Sequence, residues 1–313
     1  MGWANKKVLV TGVSGFIGSN LTRELLKNNA EIYSIDNFSY IDGDMAKSKL
    51  TFLKDIHLIE GDVSTEEAWK QVPEDIDYIF HFAAPSSITL FNRDPKKCFN
   101  ETYYGLYNAL EFAKNNKNVK KVIYPSTGSL YAGNLPPHRE DIKPEPRNSY
   151  AAAKVACEGL ASSYADFVPI IGLRIFAGYG PGEEWKKDFG SVLYLFIKDS
   201  LDGKAPIIFG NGNQTRDFVY IDDLIKVIMK SAEINYTGVV NVGRGVPVSF
   251  NNILEIIGKS LGKEIKPQFI AKEKNYVENL KADTSLMKKL FDIEPISVEQ
   301  AIPKFIDYLR ASS

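Results

Sequence analysis

The chain has 313 residues, of which 44% are hydrophobic and 25% charged, a composition that excludes a disordered polypeptide and allows more than one compact domain with a sizeable core. A formal net charge of -1 gives no overall field for nucleic acid or anionic lipid, so neither is expected as a partner. The two cysteines, Cys98 and Cys157, lack metal-ligand spacing, and neither a signal-peptide pattern nor an apolar run of about 18 residues occurs; reduced thiols, no metal, no membrane and a cytoplasmic location are expected.

Taken in order, the chain first offers an apolar run at 8–10 followed by TGVSGFIG at 11–18, with Leu21 and Leu25 continuing from Ile17 at helical spacing. That pattern predicts a strand, a tight turn and a helix. Without side chains at Gly12, Gly15 and Gly18 the backbone can turn sharply and admit a pyrophosphate, which the N–H groups around Phe16 and Ile17 and the helix dipole then face. A second strand at 31–35 leads to Asp36, about 20 positions on, where a carboxylate can take the adenosine ribose hydroxyls. Asp36 would repel a ribose 2′-phosphate, and Asn37 follows rather than an arginine, so NAD is the expected cofactor.

Further strands are predicted at 57–59, 78–82, 122–124 and 170–174, alternating with amphipathic helices. Such alternation implies right-handed crossovers and a doubly wound parallel sheet, the Rossmann arrangement, in an α/β fold. Asp62 and Val63 after the third strand are placed at the adenine, and Ala83 and Ala84 after the fourth let the cofactor backbone pass closely. His81 reads as a core or hydrogen-bonded histidine, because it lies within a strand rather than at its open end. After residue 174 a glycine-rich loop opens shorter mixed elements, including a helix at 191–200, a strand at 207–209 and a helix at 221–232. The expected division is 1–174 for the cofactor domain and 175–313 mainly for a smaller α/β substrate domain, with segments near 215–240 returning to the first.

Tyr150 and Lys154 sit four apart in an alanine-rich helical segment, one turn apart on one face. An ammonium near a phenol favours phenolate, which would fit Tyr150 for general base and acid work on a substrate hydroxyl. The pair follows the hydroxyl-rich stretch 126–129, STGS.

With these residues placed, the chain resembles the extended short-chain dehydrogenase/reductase family, in its NAD-dependent epimerase/dehydratase branch. The G-x-x-G-x-x-G spacing, YAAAK at 150–154, LRIFAGYGP at 173–181 and GNGNQTRDFVYIDD at 210–223 carry that resemblance across nearly the whole chain. It implies a nucleotide-sugar 4-epimerase, most like those that interconvert UDP-glucose and UDP-galactose through a 4-keto sugar. A keto-sugar reductase or another epimerase of the family is the alternative, and a non-catalytic NAD-binding protein a lesser one. The resemblance makes Thr127 the hydroxyl that bonds the reacting oxygen, Tyr150 the base, and Lys154 the residue that tunes Tyr150 and holds the nicotinamide ribose. It places Phe176, Val192, Phe209 and Arg216 on the UDP-sugar. Phe209 reads equally well as a core strand residue, and Arg216 could instead pair with Asp222 or Asp223.

Several positions depart from the family pattern. Gly128 and Ser129 stand where dehydratases and decarboxylases carry an acid, which disfavours both reactions. Ala177 and Thr102 replace the usual asparagines, and 273–276 replaces an R-x-G-D stretch, leaving Lys272 or Lys274 to stand in for a second phosphate arginine. Phe99, Tyr103, Leu106, Tyr107 and Leu110 on one helix, with Ala152, Val155, Ala156 and Leu160 on another, are apolar beyond a single stripe. The family covers such faces with a two-fold four-helix bundle, so a homodimer is expected.

Overall fold

In the computed structural model, which describes residues 2–272 and 276–312, six of the apolar runs become β1 (Lys7–Thr11), β2 (Glu31–Asp36), β3 (His57–Glu60), β4 (Tyr78–His81), β5 (Lys121–Thr127) and β6 (Ile170–Ile175). The helices α1 (Phe16–Lys27), α2 (Gly43–Lys49), α3 (Glu66–Trp69), α4 (Ile88–Arg93), α5 (Pro95–Asn115) and α6 (Ser149–Ser163) run between them. Past β6 come β7 (Ala177–Tyr179), α7 (Val192–Leu201), β8 (Ile207–Phe209), β9 (Thr215–Tyr220), α8 (Ile221–Ser231), β10 (Gly238–Val242), β11 (Pro247–Ser249), α9 (Phe250–Leu261), β12 (Gln268–Ile270), α10 (Ser285–Phe291) and α11 (Val298–Ser312).

Seven strands make one parallel sheet in the order β10-β6-β5-β4-β1-β2-β3. The strand order reverses between β1 and β4, where Thr11 lies opposite His81, and a ligand crevice opens beyond the carboxyl ends at such a point. Both faces are covered. Along β1, Val8 and Val10 join one apolar core while Leu9 joins the other, and all three are fully buried. The strand expected at 122–124 runs on through Pro125 to Thr127, paired with β6 throughout, and so delivers Thr127 to the open end of the sheet.

After β6 the chain builds two small sheets, β11-β9-β7 and β12-β8, and between them inserts β10 beside β6, with Val240 opposite Leu173. The helix before β10, α8, packs beside α1. Cys98 and Cys157 are free and buried, in α5 and α6. Among the described residues no helix is long and apolar enough to cross a membrane.

Candidate active site

Glycine geometry shapes the first part of the crevice. Gly12 has φ +76, and a Cβ there would meet the Ala83 backbone at 2.8 Å; one on Gly18 would lie 2.0 Å from the Gly12 carbonyl oxygen. The turn between β1 and α1 can therefore close against both β4 and its own helix only without side chains. Gly15 caps α1 with no side-chain hydrogen bond, and the first turn contains no acidic residue, so its N–H groups and dipole face the crevice unopposed. A pyrophosphate fits this cradle.

Beside it, the Asp36 carboxylate is buried and accepts from Ser14 N at 2.8 Å, Ser14 Oγ at 2.7 Å and Phe38 N at 2.8 Å. Burial pushes its pKa above the ordinary aspartate value, while these bonds pull the other way. Asp62 is held by Ser64 N and Oγ, both at 2.8 Å, and the Ala83 N–H donates to Thr11 Oγ1 at 3.1 Å. One cavity of about 250 Å³ is lined by Gly12, Gly15, Phe16, Ile17, Gly18, Asp36, Asn37, Asp62, Val63, Ala83 and Ala84, together with Thr127, Tyr150, Lys154 and Phe176. Ser14, within the glycine turn, also lines it, as do Tyr40, Glu101 and Lys186, which have no motif in the sequence to announce them. Tyr40 and Glu101 hydrogen-bond each other, joining the loop after β2 to α5.

Helix α6 begins one residue before Tyr150, where the Asn148 side chain caps it by accepting from Ala151 N at 2.9 Å. Tyr150 is half-buried with its ring edge-on to Phe91, and Lys154 is buried one turn along. Their electrostatics differ from what spacing alone suggests. Burial raises the Tyr150 phenol above its ordinary value, and the opposing pull comes from a hydrogen bond with Thr127 rather than from Lys154. Lys154 is itself pushed down by burial, and its Nζ donates to the Pro125 carbonyl at 3.0 Å. Spacing shows the attraction between the two groups but not the cost of desolvating each charge. Behind them Glu158 accepts from Ser126 Oγ and forms a bidentate pair with buried Arg174, at 2.9 and 2.7 Å, which binds α6 to β5 and β6. His81 is buried, hydrogen-bonded to Thr11 Oγ1 at 3.0 Å and held neutral, as its place within a strand implied.

The substrate residues divide. Phe176 lines the cavity and stacks near Tyr131 and His138, and a Cβ on Gly128 would strike its ring at 2.8 Å. Thus the space where a dehydratase acid would begin is occupied by an aromatic ring. Val192, Phe209 and Arg216 do not line that cavity. Arg216 instead forms a second cluster: its guanidinium donates to the carbonyls of Thr215, Val277 and Glu278 at 2.8, 2.8 and 3.2 Å and lies 5.7 Å from the Tyr276 ring centroid. Phe209 is 6.0 Å from the same ring, which the sequence did not single out. Among the described residues Arg216 pairs with neither Asp222 nor Asp223, and Asp223 is taken by Lys226 Nζ and Ile296 N, both at 2.9 Å. Lys272 is neutralised by Glu278 at 2.6 Å, and Lys274 lies outside the described residues.

A crevice of this kind, with a glycine turn into the first helix and a tyrosine and a lysine one helical turn apart at the end of a doubly wound sheet, is that of a dinucleotide-dependent enzyme. Residues 8–243 match the NAD dependent epimerase/dehydratase family, and the chain belongs to it. It is 33% identical to a UDP-glucuronate 4-epimerase of Thermodesulfobacterium geofontis over 96% of this chain and 95% of that protein. Its fold matches a UDP-glucose 4-epimerase of Thermotoga maritima solved with UDP-glucose (TM-score 0.91, 27% identity, 98% of this chain and 99% of that one). A UDP-glucuronic acid 4-epimerase of Bacillus cereus, solved with UDP-glucuronic acid and NAD, matches with TM-score 0.88 and 30% identity over 98% of this chain and 100% of that one. The protein is an enzyme of the NAD-dependent nucleotide-sugar epimerase/dehydratase family, and the glycine cradle and Asp36 fit that cofactor.

Proposed function

We propose that the protein is a UDP-sugar 4-epimerase acting on a neutral hexose, with UDP-glucose and UDP-galactose as the interconverted pair. The observation that carries this reading is the meeting of Thr127, Tyr150 and Lys154 in one cavity beside Gly128 and Phe176. Tyr150 takes the proton of the sugar 4-hydroxyl, and Thr127 hydrogen-bonds the same oxygen. NAD, when bound, supplies the reversible two-electron oxidant for C4. The resulting 4-keto sugar turns over, C4 takes the hydride back on its opposite face, and Tyr150 returns the proton to the 4-oxygen. Lys154, fastened to Pro125, holds its amino group one turn from the phenol. Gly128 and Ser129 offer no acid for dehydration; Gly128, Phe176 and Ala177 bring no charge to the strand end that carries Thr127, so among the described residues a uronate carboxylate would find a cation only at Lys154 or Lys186 elsewhere in the cavity, which supports a neutral sugar.

The dimer belongs to the same proposal: two copies joined through α5 and α6. Phe99, Tyr104 and Tyr107 on α5 are exposed, Ala152 is exposed on the adjacent α6, and an isologous pairing covers this patch with itself.

The test is incubation of the holoenzyme with UDP-glucose, UDP-N-acetylglucosamine and UDP-glucuronate, with chromatography of the products and the nicotinamide absorbance followed together. UDP-galactose formed from UDP-glucose without net reduction is expected. Turnover of the uronate alone would overturn the neutral-sugar assignment, net reduction would indicate a reductase, and no reaction with any sugar would leave a binding protein.

A further inference from the structure

The turn between β7 and α7 brings into the crevice a basic side chain that the chemistry above does not use. Residues Glu184–Phe189 form a short 3₁₀ helix fastened on several sides. Buried Glu183 accepts from Gly180 N at 3.1 Å and Ser191 Oγ at 2.9 Å. Trp185, also buried, donates its indole N–H to the Ser14 carbonyl at 2.7 Å, and its own carbonyl accepts from Asp42 N at 3.0 Å. The strap is thereby fixed to the glycine turn at the residue that holds Asp36, and to the loop that follows β2.

Lys186 comes next after that anchor. Its Nζ stands 5.5 Å from the ring centroid of Phe16, the first residue of α1, and it lines the same cavity as Gly12 and Gly15. Among the described residues no hydrogen bond or salt bridge engages that Nζ. Burial pushes its pKa down and the nearby Glu183 carboxylate holds it up. The other cation lining the cavity, Lys154, is committed to Pro125. The turn TGVSGFIG contains no cation at all, so it meets a pyrophosphate with N–H groups and a dipole but no full countercharge. We propose that Lys186 is a ligand of the cofactor's pyrophosphate, reaching it from the strap on the side opposite the glycine turn. The inference rests on the NAD reading of the crevice.

The experiment compares unaltered protein, Lys186→Met and Lys186→Arg, each stripped of cofactor and titrated with NAD at low and high salt. Loss of one charge-assisted hydrogen bond should weaken NAD binding by about tenfold or more in Lys186→Met and flatten the salt dependence. Lys186→Arg should stay within about threefold of the unaltered protein, and KM for the sugar nucleotide at saturating NAD should stay within about twofold in both variants. Unchanged NAD affinity overturns the assignment. A loss confined to KM also overturns it, because the diphosphate held would then be the substrate's. NAD binding by the unaltered protein tests the cofactor reading separately. Should Lys186→Met fail to fold, amine-reactive labelling of the unaltered protein decides: NAD and ADP-ribose should protect Lys186 where adenosine does not, and equal labelling with all three overturns the proposal.

Discussion

Lys154 Nζ and the Pro125 carbonyl oxygen stand 3.0 Å apart, a bond that ties the ammonium to the strand ending in Thr127 and leaves the phenol of Tyr150 to be tuned from the other side. Helix and strand are thus locked in register at the point where acid–base chemistry is proposed.

Tyr150→Phe should lower turnover by about 100-fold to 10,000-fold while NAD binding stays nearly intact, because the proton acceptor is lost and the glycine cradle is untouched. Steady-state kinetics with a parallel NAD titration checks it, and a variant of near-normal rate would remove Tyr150 as the base. Lys154→Met should harm both rate and cofactor retention. Since Thr127 pulls the raised Tyr150 pKa downward, Thr127→Val should move the rising limb of the pH–rate profile to higher pH. A limb that stays put would show that the bond does not tune the base.

Arg216→Leu should weaken sugar-nucleotide binding by roughly 2–3 kcal/mol and leave NAD affinity unchanged, the scale of a lost charge-assisted hydrogen bond. Its bonds to the Val277 and Glu278 carbonyls add a second expectation, a lower melting temperature, because those acceptors lose their donor. KM within about twofold of normal alongside a lower melting temperature would reduce Arg216 to a staple of the 277–278 segment.

Much of this frame was legible in the sequence because local chemistry dictated it. The central runs that became β1 and β4 are largely apolar and buried, as strands covered on both faces must be, and Gly15 and Gly18 answer to steric demands within one turn while Gly12 answers to its positive φ. What could not be read depends on distant groups meeting. Ser14 under Asp36, Tyr40 against Glu101, and Trp185 on Ser14 join positions far apart in sequence without any periodicity. The phenol–ammonium pair was legible as geometry and misread as electrostatics, since burial is a property of the whole fold.

The exposed aromatic stripe on α5 sets a third expectation. Sedimentation at micromolar concentration should show a dimer for the unaltered protein, and Tyr104→Glu should give a folded monomer by placing two unpaired carboxylates across the two-fold axis. A monomer before any substitution would refute the proposed interface.

His81 predicts a pH dependence of stability. Burial, and secondarily the charge of Lys154, lower its pKa from 6.5 to about 3. Between those values the unfolded chain binds a proton that the folded one does not. Stability is therefore present above the unfolded pKa and is lost as pH falls, by up to about 1.4 kcal/mol per pH unit from this group. The buried carboxyls Asp36, Glu183 and Asp217, raised by burial, act in the opposite sense, so the contribution must be read as a difference. Urea unfolding across this range should show a steeper acid loss in the unaltered protein than in His81→Gln, and parallel curves would contradict it.

The late arrival of β10 bears on how the chain must be made. A polypeptide leaving the ribosome has six of the seven strands by residue 175, yet the outer edge of β6 waits for residues 238–242. Until then the edge of Ile170–Ile175, a strand buried along its whole length in the finished fold, stands open to any other strand. Synthesis that pauses between those points would leave a nascent chain apt to aggregate, and the span from β7 to α8 measures how long that exposure lasts.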